Sequence, residues 1–267
     1  MRLIASDLDG TIIGRDGKIS SRTVRAFRDA ADAGVQIVFV TGRPPRWLTP
    51  LREQMEHEGT VICSNGAVLY DLATDRVLSA QTVPHRDLFA AREIILGLHP
   101  HVGFAAETIE GFQLEPGFVE SGSVELLGGI VPRPLHESLR PGDAVVKFLA
   151  RGHDLDPDVF LAQVRPAVSH LVEATHSASG VALLEMARPG INKAVTLAHY
   201  AASLEIDAAD VVAFGDMPND IEMLEWAGHG YAMASGHPGA IDAARFKAPA
   251  FEDDGVAQIL EARLALL

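Results

Sequence analysis

"SDLDGTI", Ser6 to Ile12, sets two acids, Asp7 and Asp9, two residues apart behind the short apolar run "RLIAS". Alternate residues of a strand share a face, so an extended chain reaching Asp9 would point both carboxylates at one site beyond the strand's C-terminal end. Ligands of open α/β sheets bind at that end, and Gly10 allows a tight exit from it. An EF-hand calcium loop follows a helix and places Gly sixth among its oxygen ligands. Here Gly is fourth and follows a strand. Asp and Gly also build ordinary turns, so the string acquires chemical meaning only together with others.

Three further segments supply partners. "VFVTGRPP" ends a second apolar run in Thr41 and Gly42; a hydroxyl, an unobstructed backbone N–H and the start of a helix together suit an anionic oxygen. Lys193 follows "RPGIN" at the start of a helix, the end where the helix dipole disfavours a cation. "VVAFGDMPNDIEML" runs from a buried strand into Asp216, Asn219 and Asp220. A helix cap accounts for one such acid, not for the set. Carboxylates gathered from several strand ends, with no His or Cys among them, call for a hard cation such as Mg²⁺. Two unit charges about 4 Å apart repel by roughly 4 kcal/mol at an effective dielectric of 20, so a bare acidic cluster would reject a phosphate dianion. A divalent ion reverses that sign.

Bringing these segments together requires alternating strands and helices. "RLIAS" reads as a strand; "SSRTVRAFRDAADAG" has a Ser cap, Val24, Phe27 and Ala31 on one helical face, and Gly34 as its stop. "VQIVFV" is a continuous apolar strand of the kind covered on both faces, and the order strand, helix, strand predicts a parallel unit with a right-handed crossover. A helix over Arg46 to His57, a strand at Thr60 to Cys63 and the hairpin "AVLYDLATDRVLSA" follow. Near the C-terminus, "KAVTLAHYAASL" reads as a helix, "VVAFG" as a strand, "PNDIEMLEWAG" as a helix from Pro218 and "GVAQILEARLALL" as a last helix. Between them lie a helix and two strands, then, after a Gly- and Pro-bearing connection, strand, helix and two strands. The predicted fold is α/β: a doubly wound, mainly parallel Rossmann-like core sheet over residues 1–83 and 189–267, with an inserted α+β domain, antiparallel in its sheet, over residues 84–188.

The chain has 267 residues, 48% of them hydrophobic, and a formal net charge of −14. Its Lys and Arg are scattered, so no nucleic-acid partner is expected. Cys63, the single cysteine, lies in the apolar run "TVICSN" and reads as a buried strand residue in a reducing setting. Neither a leader nor a run of roughly 18 apolar residues is present, which predicts a cytoplasmic protein without membrane partners, a monomer or small homo-oligomer. No repeat of fixed period is visible.

In their order, "DLDGT", "TGR", Lys193 and "GDMPND" resemble the four motifs of the haloacid dehalogenase-like (HAD) superfamily, and the inserted domain resembles the C2B cap of its Cof-type phosphatase branch. The resemblance spans essentially the whole chain. It implies a Mg²⁺-dependent phosphatase acting on a small phosphorylated metabolite, a sugar phosphate or a phosphorylated cofactor. Asp7 would be the nucleophile that forms an aspartyl-phosphate, and Asp9 the general acid and then base. Mg²⁺ would be held by Asp7, the Asp9 carbonyl and Asp216, with Asp220 as a further ligand or a partner behind them. Leu8, Thr41, Gly42, Lys193 and Asn219 would bind the phosphoryl group. Where such chains tend to carry Asn, Lys and Asn, this one has Ser235, Ile241 and Phe251, outside the nucleophile, acid and metal set.

Other readings are a phosphosugar mutase on the same fold and a non-hydrolytic phosphoacceptor or binding protein. A receiver module would be about half this length and would need no ~100-residue insertion. Trp47 and Trp226 read as helix packing, His99 and His101 as a chance pair at a helix exit rather than a metal site, Glu185 as a solvated edge residue rather than one reaching back towards the site, and Arg43 as a substrate contact or the partner of a neighbouring acid.

Overall fold

A computed structural model describes residues 1–56, 58–119, 130–178 and 180–266. The chain divides into two compact units, Met1–Ser79 with Asn192–Leu267, and Ala80–Ile191, where the sequence reading set its divisions at 83 and 189.

The first segment forms β1 (Leu3–Ser6), α1 (Ser21–Asp32), β2 (Gln36–Val40), α2 (Thr49–Met55), β3 (Thr60–Cys63), β4 (Val68–Asp71) and β5 (Arg76–Ala80). Ser20 caps α1 by accepting the Thr23 N–H at 3.0 Å, and the chain leaves the helix through Gly34 at φ 83°. The helix expected over Arg46 to His57 is shorter. A 3-10 turn at Pro45–Trp47 precedes α2, because Pro44, Pro45 and Pro50 lack the N–H a continuous helix needs, and Glu56 ends it in a left-handed conformation. His57 lies outside the described residues. Trp47 is exposed rather than packed, with the Arg46 guanidinium over its ring.

The second unit holds α3 (His85–Leu98), β6 (Gly103–Thr108), β7 (Phe112–Leu114), α4 (Leu135–Ser138), β8 (Val145–Arg151), α5 (Pro157–Val168), β9 (Glu173–Thr175) and β10 (Leu183–Ala187). Part of the Gly- and Pro-bearing connection, residues 120–129, lies outside the described residues. Strands in the order β7-β6-β8-β10-β9 pair antiparallel. Period-2 alternation turns Phe104, Phe148 and Leu184 to a core with Leu88, Ile95, Phe160 and Val164 of the helices. Glu107, Lys147 and Glu185 occupy the alternate positions and are buried. Glu185 is therefore not a solvated edge residue: β10 is an inner strand, and its carboxylate bonds Lys147 and Ser177. His99 and His101 do not act together: the His99 ring packs edge-on against Phe160 at 5.0 Å and His101 is exposed.

Back in the first unit, the chain makes α6 (Lys193–Ser203), β11 (Val211–Gly215), α7 (Ile221–Trp226), β12 (His229–Met233), α8 (Pro238–Ala243), β13 (Phe246–Ala248) and α9 (Gly255–Leu264). The helix expected from Pro218 begins as a 3-10 turn, Pro218–Asp220, before α7. Sheet order is β13-β12-β11-β1-β2-β3-β4-β5; β13 to β3 run parallel, and β4 turns back antiparallel on β3. Leu3, Ala5, Val38 and Val40 bury one face under Leu197 of α6 and Leu224 of α7. Phe39 takes the other face against Phe27 of α1, ring centroids 5.3 Å apart, so helices cover both sides. Trp226 packs against the first of these cores.

Candidate active site

Successive strands are added outward from β1 on one side and from β11 on the other, which makes the β1/β11 pair the point where strand order reverses. Such a point leaves a crevice at the C-terminal ends of the strands. Asp7 follows β1 there, and Asp216 follows β11. Oxygens of Asp7, Asp216 and Asp220 lie within 4.8 Å of one another, all three residues buried.

Lys193, at the first turn of α6 and 1% exposed, reaches Asp7 Oδ1 and Asp220 Oδ1, each at 2.6 Å. Asp220 also accepts the N–H groups of Asp216 and Met217 on its Oδ2, both at 3.0 Å. Its oxygens are thus committed, and it works as an anchor that fixes Lys193 and the turn after β11. Asp7 Oδ2 and Asp216 Oδ2 accept no hydrogen bond among the described residues. Thr11 Oγ1 donates to Asp216 Oδ1 at 3.3 Å.

One ammonium does not balance three buried acids. Burial, relieved by Lys193 but reinforced by Asp220 and Asp9, pushes the Asp7 carboxyl up to about 7. Burial with the charges of Asp7 and Asp220 pushes Asp216 up to about 9. Burial also works against the Lys193 ammonium, but Asp220 and Asp7 outweigh it and raise its pKa. A hard divalent cation fits this donor set: unshared carboxylate oxygens, no soft ligand, and a surplus of negative charge that only a cation removes.

Asp9 does not join the cluster. β1 stops at Ser6, and the N–H groups of Thr11, Ile12 and Ile13 all turn back to the Leu8 carbonyl. Extended alternation therefore ends before Asp9, whose side chain is 53% exposed. Arg43 grips it with Nε at 2.7 Å and Nη2 at 2.6 Å, and donates Nη1 to the Trp47 carbonyl at 3.0 Å. Gly10 makes the turn possible: its φ is 81°, and a Cβ there would collide with Asp216 Oδ2.

The remaining candidates line the neighbouring strand ends. Leu8 is buried, as is Thr41 after β2; Thr41 Oγ1 accepts the Arg43 N–H at 3.0 Å, which leaves its hydroxyl hydrogen to donate. Gly42 is half-buried. Asn219 is buried, and its Nδ2 donates to Asn65 Oδ1 at 3.0 Å. Sequence reasoning passed over Asn65 and Thr11; the signal for each was its place within a few residues of a strand end. Ser235 and Phe251 meet each other, the Phe251 N–H donating to Ser235 Oγ at 3.1 Å, and neither holds Lys193.

Comparison with known proteins identifies the family. The haloacid dehalogenase-like hydrolase family profile matches residues 4–260. A 5-amino-6-(5-phospho-D-ribitylamino)uracil phosphatase, YitU of Bacillus subtilis (strain 168), is 26% identical over 99% of this chain and 98% of its own. Pyridoxal phosphate phosphatase YbhA of Escherichia coli (strain K12) is 30% identical over 88% of each chain. Among solved structures, SMU.1108c from Streptococcus mutans UA159 shares the fold with a TM-score of 0.85, at 22% identity and 99% coverage of both chains. Acids at the β1 and β11 ends, a lysine between them and a profile match along nearly the whole chain lead to one conclusion: the protein belongs to the haloacid dehalogenase-like hydrolase family, as one of its phosphatases.

Proposed function

We propose that the chain hydrolyses small organic phosphomonoesters with Mg²⁺, carrying the phosphoryl group transiently on Asp7. The observation behind this is the buried set of Asp7, Asp216 and Asp220 around Lys193. One Asp7 carboxylate oxygen attacks phosphorus; its P–O bond forms, the ester P–O bond breaks, and the leaving oxygen takes a proton from Asp9. Asp9 then accepts a proton from the water that attacks the aspartyl-phosphate, which frees phosphate and restores Asp7. Arg43 donates one N–H to each Asp9 oxygen at rest, and each oxygen keeps a second lone pair through which a proton can pass. Lys193, the Thr41 hydroxyl, the Leu8 and Gly42 backbones and the Asn219 amide hold the phosphoryl oxygens. A bound cation would supply positive charge to Asp7, Asp216, the Asp9 carbonyl and a phosphoryl oxygen.

The substrate class is a small phosphorylated metabolite, a sugar phosphate or a phosphorylated cofactor. In support, YitU is named for a phosphoribityl compound and YbhA for pyridoxal phosphate. The unit Ala80–Ile191 is assigned as the C2B-type cap that selects the leaving group. The test is phosphate release from an aryl phosphate and from a panel of phosphorylated metabolites. Activity should need Mg²⁺, stop with EDTA and be absent in Asp7→Asn. Wild-type turnover in that variant would exclude the nucleophile, and sugar isomers without free phosphate would point to a mutase.

A further inference from the structure

After β3 the chain turns through Ser64, Asn65 and Gly66 at φ 51°, 55° and 98°. Three successive left-handed residues are unusual, and two of these carry side chains, a conformation that persists only where the surroundings over-determine it. Gly66 has no alternative, because a Cβ there would collide with the Asn192 carbonyl. The turn is tied at every residue. Ser64 and Asn65 N–H groups donate to the Arg43 and Thr41 carbonyls, both at 3.0 Å, and Thr196 Oγ1 donates to the Gly66 carbonyl at 2.7 Å. It thus joins the segment after β2 to the first turn of α6.

A connection to an antiparallel neighbour can be made by a Gly-bearing turn without burying polar side chains. Here two are buried beside a third. Asn65 Oδ1 accepts one N–H of the Asn219 amide at 3.0 Å, while Asn219 Oδ1 and Ser64 Oγ are buried with no hydrogen-bond partner among the described residues. Of these two the Ser64 hydroxyl can donate to an arriving group, whereas Asn219 Oδ1 only accepts and offers nothing to a phosphoryl oxygen. The Asn219 NH₂ has two hydrogens, and one is fixed by Asn65.

We propose that Asn65 is a positioning residue for Asn219. By holding one amide hydrogen it sets the plane of the Asn219 amide, so that the second hydrogen is presented to a phosphoryl oxygen. The left-handed turn exists to deliver Asn65 to that place. This rests on the phosphatase reading, with Asn219 in the phosphate grip.

Steady-state kinetics on an aryl phosphate, with inorganic phosphate as inhibitor, test it in Asn65→Gly, Asn219→Ala and the double variant. Glycine tolerates the left-handed backbone and removes the whole side chain, amide included. It should raise KM and the phosphate inhibition constant about tenfold, equivalent to about 1.4 kcal/mol, with kcat changed less than about threefold. The double variant should be no worse than Asn219→Ala alone, since both changes remove one device. Should Asn65→Gly fail to fold, Asn65→Ala takes its place in the same cycle. Independent, additive losses, or wild-type phosphate inhibition in the Asn65 variant beside an impaired Asn219→Ala, would overturn the positioning role and leave the phosphatase reading standing. A wild-type protein that releases no phosphate, or an Asn219→Ala variant with unaltered kinetics, would remove the reading beneath it.

Discussion

Replacing Asp216 with Asn should make the protein more stable when no divalent cation is present. Oxygens of Asp7, Asp216 and Asp220 lie within 4.8 Å of one another, and two unit charges at such a distance repel by roughly 3 kcal/mol at an effective dielectric of 20. The Asp216 carboxyl is pushed from 3.8 up to about 9. An acid whose folded pKa is raised contributes its full stability only below the unfolded value, and loses it as pH climbs through the folded one. At about pH 7 the folded protein must hold a proton that the unfolded chain has released, at a cost of roughly 4 kcal/mol from about 1.4 kcal/mol per pH unit. Asn has the size of Asp, carries no charge and still offers an oxygen to Thr11 Oγ1, so the variant escapes that cost. In EDTA near pH 8 its Tm should exceed the wild-type value by on the order of 10 °C. The gap should narrow as pH falls and close at about pH 4. Saturating Mg²⁺ should reverse the ranking, because only the wild type keeps the carboxylate that couples cation binding to folding. Calorimetric melting with and without Mg²⁺ decides: a variant that melts below wild type in EDTA near pH 8 would refute the claim that uncompensated charge dominates this cluster.

Other consequences are equally direct. Asp9→Asn should slow esters with poor leaving groups far more than aryl phosphates, since the latter need little protonation; equal losses across a leaving-group series would contradict an acid role. Gly10→Ala combines a left-handed strain of about 1–2 kcal/mol with a collision at Asp216 Oδ2, and should lower both Tm and Mg²⁺ affinity, read by calorimetry. With Asp7 at about 7 and Asp216 at about 9, Mg²⁺ must displace protons near neutral pH, so its affinity should rise with pH towards about 9. Titration calorimetry in buffers of different ionisation enthalpy should detect roughly one to two protons released, and an affinity independent of pH would exclude those values.

The Asp7, Asp216 and Lys193 positions could be read from the sequence because each sits at an element end where simple packing gives no use for its charge. Asp9 could not be placed, because period-2 reasoning assumes a strand that in fact stops at Ser6. The short elements β12, α8 and β13 were passed over: "HGYAM" mixes His and Gly into a strand whose burial comes from its parallel neighbours, which alternation along one segment does not reveal. Glu185 was misjudged for a related reason, since whether a strand is inner or outer depends on sheet order. Asn65 stayed hidden in "SNG", where turn chemistry is a sufficient local account and only the contact with Asn219, 154 positions away, says otherwise.

Lys193 carries one more implication, in the language of chemical labelling. Amine-acylating reagents react with the neutral amine, and this ammonium is both enclosed at 1% exposure and held protonated by two carboxylates. In the folded protein it should be nearly silent to such reagents, whereas Lys18 and Lys247, both exposed, should label at once. Each acyl group found on Lys193 would therefore count an opening of the strand ends. Its rate of appearance, followed by peptide mass, would measure how often the centre comes apart in an enzyme that is not turning over.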